Sequence, residues 1–210
     1  TNRAASAART VKASPDKVLV RTVTGESASW SELDSSMEQW AARFLALGVR
    51  RGDVVATLLD AGLDALAIWL GLSSIGAIDA ATNAEFRGRM LAYAINNCRP
   101  TLLVIDSKYI QLLESVSAEL QTVEQILILG EGVDEPQLDS TLTRVIRPRQ
   151  IQHDVSAARD AIIDPQAHDI ACISYTSGTT GPSKAVLLPW GQLHSINLGT
   201  FPYEDLGASD

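Results

Sequence analysis

Residues 174–184 contain the residue types that are needed to hold a phosphate group. Seven of the ten residues from Ser174 to Ser183 carry a hydroxyl, two are glycine, and Lys184 follows. Hydroxyls and the backbone N–H groups of glycine-rich turns donate hydrogen bonds to phosphate oxygens, and a lysine ammonium adds a mobile positive charge. The segment therefore predicts a phosphate-binding loop.

The flanking residues distinguish between two kinds of phosphate loop. Residues 170–173 and 185–188 are short apolar runs that predict strands, the second ending at Pro189. A Walker loop requires G-x-x-x-x-G-K-S/T leading directly into a helix. Here Gly181 and Lys184 are separated by two residues, and the next segment has the pattern of a strand. Spacing and context both exclude a Walker loop.

From Tyr175 through Gly181, and again at Lys184 and Val186, the segment resembles the phosphate loop of the adenylate-forming superfamily. This superfamily comprises acyl- and aryl-CoA synthetases, luciferases and peptide-synthetase adenylation domains, and its loop reads Y/F-T/S-S-G-T-T-G-x-P-K-G-V. The chain departs from that pattern at Pro182-Ser183 and at Ala185. The alternative interpretation is a surface loop of small polar residues, which occurs in any protein. The length of the ordered match between two strands argues against it.

The resemblance implies an AMP-forming acid–thiol ligase. A carboxylate attacks the α-phosphate of ATP to give an acyl-adenylate, and CoA then takes the acyl group. ATP, Mg²⁺ and CoA are the implied cofactors, and no residue of this chain is implied as a metal ligand. Lys184 is the implied catalytic residue, through stabilisation of charge, and the residues implied to bind ATP are Thr176, Ser177, Gly178, Thr179, Thr180, Gly181 and Lys184.

Other segments resemble the same superfamily less specifically. Residues 30–33 resemble its T-Y-x-E-L segment, and residues 71–83 resemble G-A-x-x-x-P-x-N, with Ala81 or Thr82 in the place of the proline. Residues 86–93 are similar to a segment of fatty-acid and carnitine-type CoA ligases. This last similarity favours an aliphatic acid as the substrate and a role in fatty acid metabolism.

The composition excludes several other classes of function. The chain has 17 Lys and Arg against 25 Asp and Glu, which argues against nucleic acid or an anionic membrane as its partner. The most apolar region, residues 54–81, is interrupted by three aspartates, and the chain starts without a secretory segment, so we predict a cytoplasmic protein. The cysteines and histidines have no metal-ligand spacing, and we interpret Cys98 and Cys172 as buried free thiols.

The elements that must position the loop alternate between strands and helices. Period-two and apolar runs predict strands at 18–20, 54–59, 77–81, 102–105, 126–129 and 143–146, besides the two that flank the loop. Helical spacing predicts helices from Ser31, which we expect to be capped with Asp34, and at 63–75, 87–98, 109–120, 154–162 and 190–198. This alternation predicts an α/β fold with a largely parallel, layered sheet and helices on both faces.

The resemblance also implies that residues 1–210 are an incomplete N-terminal portion of an adenylation domain. Members of the superfamily are more than twice this length, and their ribose-binding, metal-binding and C-terminal lid segments have no counterpart here. We therefore expect the chain alone to be inactive and to need the remainder of its polypeptide. Two alternatives stay open: a non-catalytic nucleotide-binding module, and an adenylation domain that loads a carrier-protein thiol. The identity of the acid and homo-oligomerisation also stay open.

Overall fold

The computed structural model of the chain describes residues 14–132, 136–138, 144–176 and 183–200. The strands are β1 (Val18–Arg21), β2 (Ser27–Ser29), β3 (Val54–Leu58), β4 (Ile78–Ala81), β5 (Leu102–Asp106), β6 (Gln125–Leu129), β7 (Arg144–Ile146), β8 (Ile170–Thr176) and β9 (Lys184–Pro189). The helices are α1 (Trp30–Ala46), α2 (Leu63–Ser74), α3 (Gly88–Cys98), α4 (Ile110–Glu114), α5 (Val155–Ala161) and α6 (Trp190–Thr200).

Seven of these strands form one sheet in the order β7-β6-β5-β3-β4-β8-β9. The neighbouring strands are parallel from β7 to β8, and β9 pairs with β8 in the antiparallel direction. The chain moves from β3 to β4 on one side and then returns to β5 on the other side, so the strand order reverses at β3. In open α/β sheets such a reversal opens a crevice at the carboxyl ends of the strands, where ligands bind.

Both faces of the sheet are covered by helices. Alternate side chains such as Val55, Leu102 and Val104 pack with α1, α2 and α5, and their neighbours Ala56, Leu103 and Ile105 pack with α3 and α4. Side chains alternate across a strand, and a strand that is covered on both faces is therefore apolar at nearly every position. The predicted α/β class, with a largely parallel sheet and two helical layers, is confirmed.

Helices α1 and α2 approach each other closely. A Cβ atom added at Gly71 of α2 would lie 2.7 Å from the Cβ of Trp40 and 3.0 Å from the backbone nitrogen of Ala41. A second contact holds α5 against α1. The guanidinium of Arg159 in α5 donates two hydrogen bonds to Glu38 in α1, at 2.7 and 2.6 Å. Helix α1 is thereby fixed from two sides.

The cap of α1 differs from the prediction. The N-cap is Ser29, whose hydroxyl accepts from the backbone N–H of Glu32, and the Glu32 carboxylate accepts from the backbone N–H of Ser29 at 2.8 Å. Ser31 and Asp34, which have the same spacing in the sequence, are not the capping pair. The hydroxyl of Ser31 instead donates to the carbonyl of Pro15, just before β1, at 2.9 Å. Strands β1 and β2 pair as an antiparallel hairpin next to the helix start.

The helix predicted at 109–120 is wrong in length. The structure has a 3-10 turn at Ser107–Tyr109, the short helix α4 and a second 3-10 turn at Ser117–Glu119. The hydroxyls of Ser115 and Ser117 donate to the carbonyls of Leu112 and Glu114, at 2.7 and 3.0 Å. Serine side chains that bond to nearby carbonyls compete with regular helix formation. In the described part of the chain, no helix is long and apolar enough to cross a membrane.

Candidate phosphate-binding site

The predicted loop lies at the end of an antiparallel hairpin. Strands β8 and β9 pair from Ile170 with Pro189 to Thr176 with Lys184, so Thr176 and Lys184 are cross-strand neighbours. This pairing corrects the predicted extent of the loop, because residues 174–176 belong to β8 and Lys184 belongs to β9. The hairpin therefore places a hydroxyl-bearing residue and a lysine opposite each other at the end next to the connecting loop.

The central residues of the predicted site are outside the described part of the chain. These residues are Ser177, Gly178, Thr179, Thr180 and Gly181. Their proposed contacts with ATP therefore stay predictions. Thr176 at the end of β8 and Lys184 at the start of β9 are exposed, whereas Ser183, the residue before Lys184, is buried. The structure thus describes the two segments that flank the loop, the end of β8 at Thr176 and the start of β9 at Lys184, which we call its stems. Each stem presents a polar side chain to solvent.

The loop end of the hairpin lies at the ligand-binding edge of the sheet. Strand β8 runs parallel to β4, with Asp79 beside Cys172 and Ala80 beside Ile173. The carboxyl end of β8 consequently lies at the same edge as the carboxyl ends of the other parallel strands. This is the edge at which α/β sheets bind their ligands.

The other end of the hairpin is held by four contacts. The backbone N–H of Trp190 donates to the carbonyl of Asp169 at 3.0 Å, and that of Gly191 donates to the carbonyl of Ala167 at 2.8 Å. The Trp190 ring stacks on Trp69 of α2 at a centroid distance of 5.9 Å. The Asp169 carboxylate also pairs with Arg51 at 3.1 Å. The amino-terminal end of β8 and the start of α6 are thus attached to the body of the domain.

Phe86 and Arg87 begin the segment 86–93, whose similarity to fatty-acid and carnitine-type CoA ligases favours an aliphatic substrate. Both residues have structural contacts at the start of α3. The Phe86 ring meets the Tyr175 ring edge-on at 6.3 Å. Arg87 is the N-cap residue of α3, and its guanidinium donates to the carbonyls of Ala84 and Phe86, the latter at 2.9 Å. These contacts account for both residues without an acid substrate. The aliphatic interpretation stays a prediction.

A buried carboxyl group in β4 was missed by the sequence interpretation. Asp79 is 8% exposed, and the hydroxyl of Thr57 donates to it at 2.8 Å. Burial raises the pKa of Asp79 to about 6, and the hydrogen bond from Thr57 opposes that shift. In the sequence this aspartate interrupts an apolar run, which is the one local sign that a charged group enters the core.

A polar cluster at the carboxyl ends of β3 and β5 was also missed. The Lys108 ammonium and the Tyr109 hydroxyl both donate to the carboxylate of Asp60, and Lys108 lies 3.8 Å from Asp106. The hydrogen bond from Lys108, followed by that from Tyr109, lowers the pKa of Asp60. The same contact with Asp60 raises the pKa of Lys108. The sequence contained one sign of this cluster, because Asp60 and Lys108 each follow a predicted parallel strand. The carboxyl ends of parallel strands lie at the same edge of a sheet.

The remaining candidate ligands do not assemble a metal site in the described residues. No group of three or more His, Cys, Asp or Glu side chains is arranged there to hold a metal ion. Cys98 is buried, Cys172 is half-buried, and both are free thiols. Burial raises the pKa of each thiol, which lowers its reactivity at neutral pH.

The parallel sheet, its two helical layers and the Ser/Thr/Gly-rich hairpin define a chain of the adenylate-forming class. The AMP-binding enzyme family matches residues 7–208, and the chain belongs to this family.

Several relatives of this chain are CoA ligases. A 3-hydroxybenzoate–CoA/4-hydroxybenzoate–CoA ligase of Thauera aromatica is 29% identical over 77% of this chain and 29% of its own length. A crotonobetaine/carnitine–CoA ligase of Salmonella heidelberg (strain SL476) is 28% identical over 76% of this chain and 30% of its own length. ATP-bound MatB from Rhodopseudomonas palustris superposes with a TM-score of 0.62 at 25% identity, over 87% of this chain and 33% of its own. The chain thus spans less than a third of the length of these curated relatives.

Proposed function

We propose that the protein containing this chain activates a carboxylic acid with ATP and transfers it to CoA. In the first step a carboxylate oxygen bonds to the α-phosphorus of ATP and the bond to pyrophosphate breaks. In the second step the CoA sulfur bonds to the acyl carbon, the thiol proton is released and AMP leaves. The observation that carries the proposal is the pairing of Thr176 with Lys184 at the loop end of the hairpin, in a chain of this family.

The residues of the hairpin have distinct proposed roles. The Thr176 hydroxyl and the Lys184 ammonium bind the β- and γ-phosphates from the two stems, together with the hydroxyls of Ser177, Thr179 and Thr180. Gly178 and Gly181 allow the backbone to approach the phosphates. Negative charge moves onto pyrophosphate as the α-phosphorus is attacked, and preorganised donors stabilise that charge.

Mg²⁺ fits this donor set only through the nucleotide. The described stems offer hydroxyls and an ammonium, whereas Mg²⁺ prefers carboxylate, water and phosphate oxygens. Bound to the ATP phosphates, it would supply additional positive charge at the departing pyrophosphate. Thr176 and Lys184 would then hold phosphate oxygens that the ion leaves free.

The proposed substrate class is a carboxylic acid, with an aliphatic acid as the narrower proposal. The narrower proposal rests on the resemblance of residues 86–93. The relatives named above act on hydroxybenzoates and on crotonobetaine or carnitine, so a panel for testing must contain aromatic and aliphatic acids. A cytoplasmic location also stays a prediction from the sequence.

The test of the proposed function is ATP–pyrophosphate exchange by the full-length protein with that acid panel. We expect one acid to give exchange, and we expect Lys184→Ala to slow it about 10²-fold, because one charge-stabilising donor is typically worth 10²–10³. The melting temperature should change little, since Lys184 is exposed.

The matched control is Lys17→Ala, which removes an exposed lysine beside the β1–β2 hairpin. This variant should retain the exchange rate of the wild type. If no acid in the panel supports exchange, the activation of a carboxylic acid is excluded for that panel. If Lys184→Ala exchanges normally, the role of the lysine is misassigned.

A further inference from the structure

We propose that Tyr175 is a positioning residue that holds the phosphate-binding hairpin on α3. The inference rests on the proposed function and adds to it the support that fixes the stems of the loop. Tyr175 is adjacent to Thr176 in β8, and it pairs across the hairpin with Ala185, the neighbour of Lys184. Its side chain is therefore one residue away from both proposed phosphate donors.

The ladder between β4 and β8 ends before the hairpin does. Strand β4 pairs with β8 at Asp79–Cys172 and Ala80–Ile173, whereas β8 continues for three residues beyond Ile173. Over those residues β8 pairs with β9, and β9 is the last strand of the described sheet. A two-stranded ribbon without further packing is marginally stable in water. The end of the hairpin therefore needs a side-chain attachment to keep its donors in place.

Tyr175 provides that attachment with both parts of its side chain. Its ring meets Phe86 edge-on at 6.3 Å, with an interplanar angle of 83°, a favourable arrangement of two aromatic rings. Its hydroxyl donates to the carbonyl of Ala94 in α3. Burial raises the pKa of Tyr175, so the phenol keeps the proton that it donates. The side chain thus joins the hairpin to the start and to the second half of α3.

The attachment predicts a specific kinetic effect. Tyr175→Phe removes the hydroxyl and keeps the ring, so the fold is retained. Losing one neutral hydrogen bond changes an equilibrium by about fivefold. Because the loosened stems hold the ATP phosphates, we expect the KM for ATP to rise about fivefold. The KM for the acid should stay at the wild-type value.

The experiment measures both KM values by ATP–pyrophosphate exchange in the full-length protein, with the acid of the panel that gives the fastest exchange. The matched control is Thr122→Val, which removes another hydroxyl-to-carbonyl hydrogen bond, 2.8 Å long and directed to Pro100 before β5. We expect the control to lose stability to a similar degree and to keep the wild-type KM for ATP.

The outcomes separate this inference from the proposed function. A selective rise of the KM for ATP in Tyr175→Phe supports the positioning role. An unchanged KM for ATP, a parallel rise of both KM values, or the same change in Thr122→Val overturns it, even when Lys184→Ala has lost exchange as expected. Absence of exchange by the wild type would instead overturn the proposed function on which the inference rests.

Discussion

At the scale of single residues, the least expected feature is the carboxyl group of Asp79 within the sheet. Its burial disfavours the ionised form, and the hydrogen bond from Thr57 offsets only part of that cost. The group therefore weakens the fold when it is ionised. Asp79 pairs with Cys172 where β4 joins the β8–β9 hairpin to the sheet, so the destabilising charge lies at that junction.

The residue-scale prediction concerns the pH dependence of stability. The folded pKa of Asp79 is about 6 and its ordinary value is 3.8, so between these values the unfolded chain loses the proton and the folded chain keeps it. Stability therefore falls as pH rises through this window, by at most about 3 kcal/mol, and the loss is complete above the folded pKa. We expect Asp79→Asn to be more stable than the wild type at pH 7 and equal to it near pH 4.

Urea unfolding at several pH values between about 4 and 7 measures this difference. Asparagine keeps an oxygen that accepts from Thr57 and cannot ionise, which makes it a close replacement. Asp160→Asn, on the exposed side of α5, is the control, and its stability should follow that of the wild type at every pH. A difference between Asp79→Asn and the wild type that is constant over this range would contradict the prediction.

At the scale of elements, the layer of α1 and α2 depends on one close approach. Gly71 allows the backbone of α2 to lie against α1 where any side chain would collide with Trp40 and Ala41. Glycine lowers helix propensity, and its presence within α2 is explained by this packing. The layer in turn covers the face of the sheet opposite to α3.

The element-scale prediction is that Gly71→Ala destabilises the protein. Alanine is about 1 kcal/mol better than glycine within a helix, but overpacking a close contact costs about 1–3 kcal/mol. Since the nearest atoms belong to the backbone and to a Cβ, they cannot move away independently of α1. We expect a net loss of stability, measured as a lower melting temperature.

Gly62→Ser is the matched control for this substitution. Gly62 is the N-cap residue of the same helix, and an added Cβ there meets nothing within 4 Å. Serine is a better N-cap than glycine, so this variant should be as stable as the wild type or slightly more stable. Equal melting temperatures for Gly71→Ala and the wild type would show that the two helices can separate without cost.

At the scale of the whole molecule, the described sheet has an exposed edge at β9. Leu187 of β9 is 56% exposed, and Ile196 of α6 is also exposed. Val186 and Leu188 of the same strand are half-buried. An edge strand with an exposed aliphatic side chain is a template for pairing with another chain.

The whole-molecule prediction is that residues 1–210, prepared alone, self-associate through β9. Leu187→Lys should reduce the association, because a lysine on an edge strand opposes edge-to-edge pairing. Light scattering measures the association, and a hydrophobic dye reports the exposed apolar surface. Val23→Lys replaces an exposed valine at the tip of the β1–β2 hairpin and should leave association unchanged. A monodisperse wild-type chain that binds no dye would contradict the prediction.

The sequence by itself determined the types and the order of most elements and the residue types of the loop. Apolar runs such as those of β3 and β5 and the helical spacing in α3 are local patterns, because each depends on which faces of one segment are buried. The hydroxyl and glycine content of residues 174–184 is likewise a property of one segment. The elements were predicted correctly because no distant contact is needed to specify them, and the phosphate-binding role of the loop stays a prediction.

The tertiary structure decided the features that depend on residues far apart in the chain. Ser31 bonds to Pro15, 16 residues earlier, and does not cap α1, and the cluster of Asp60 with Lys108 joins the ends of two strands. The strand order and the buried position of Asp79 follow from pairing between β3, β4 and β8. Local pattern contains no information on which strands become neighbours, because pairing is decided by the packing of the whole sheet and its two helical layers. For the same physical reason, the attachment of Tyr175 to α3 became visible only in the folded chain.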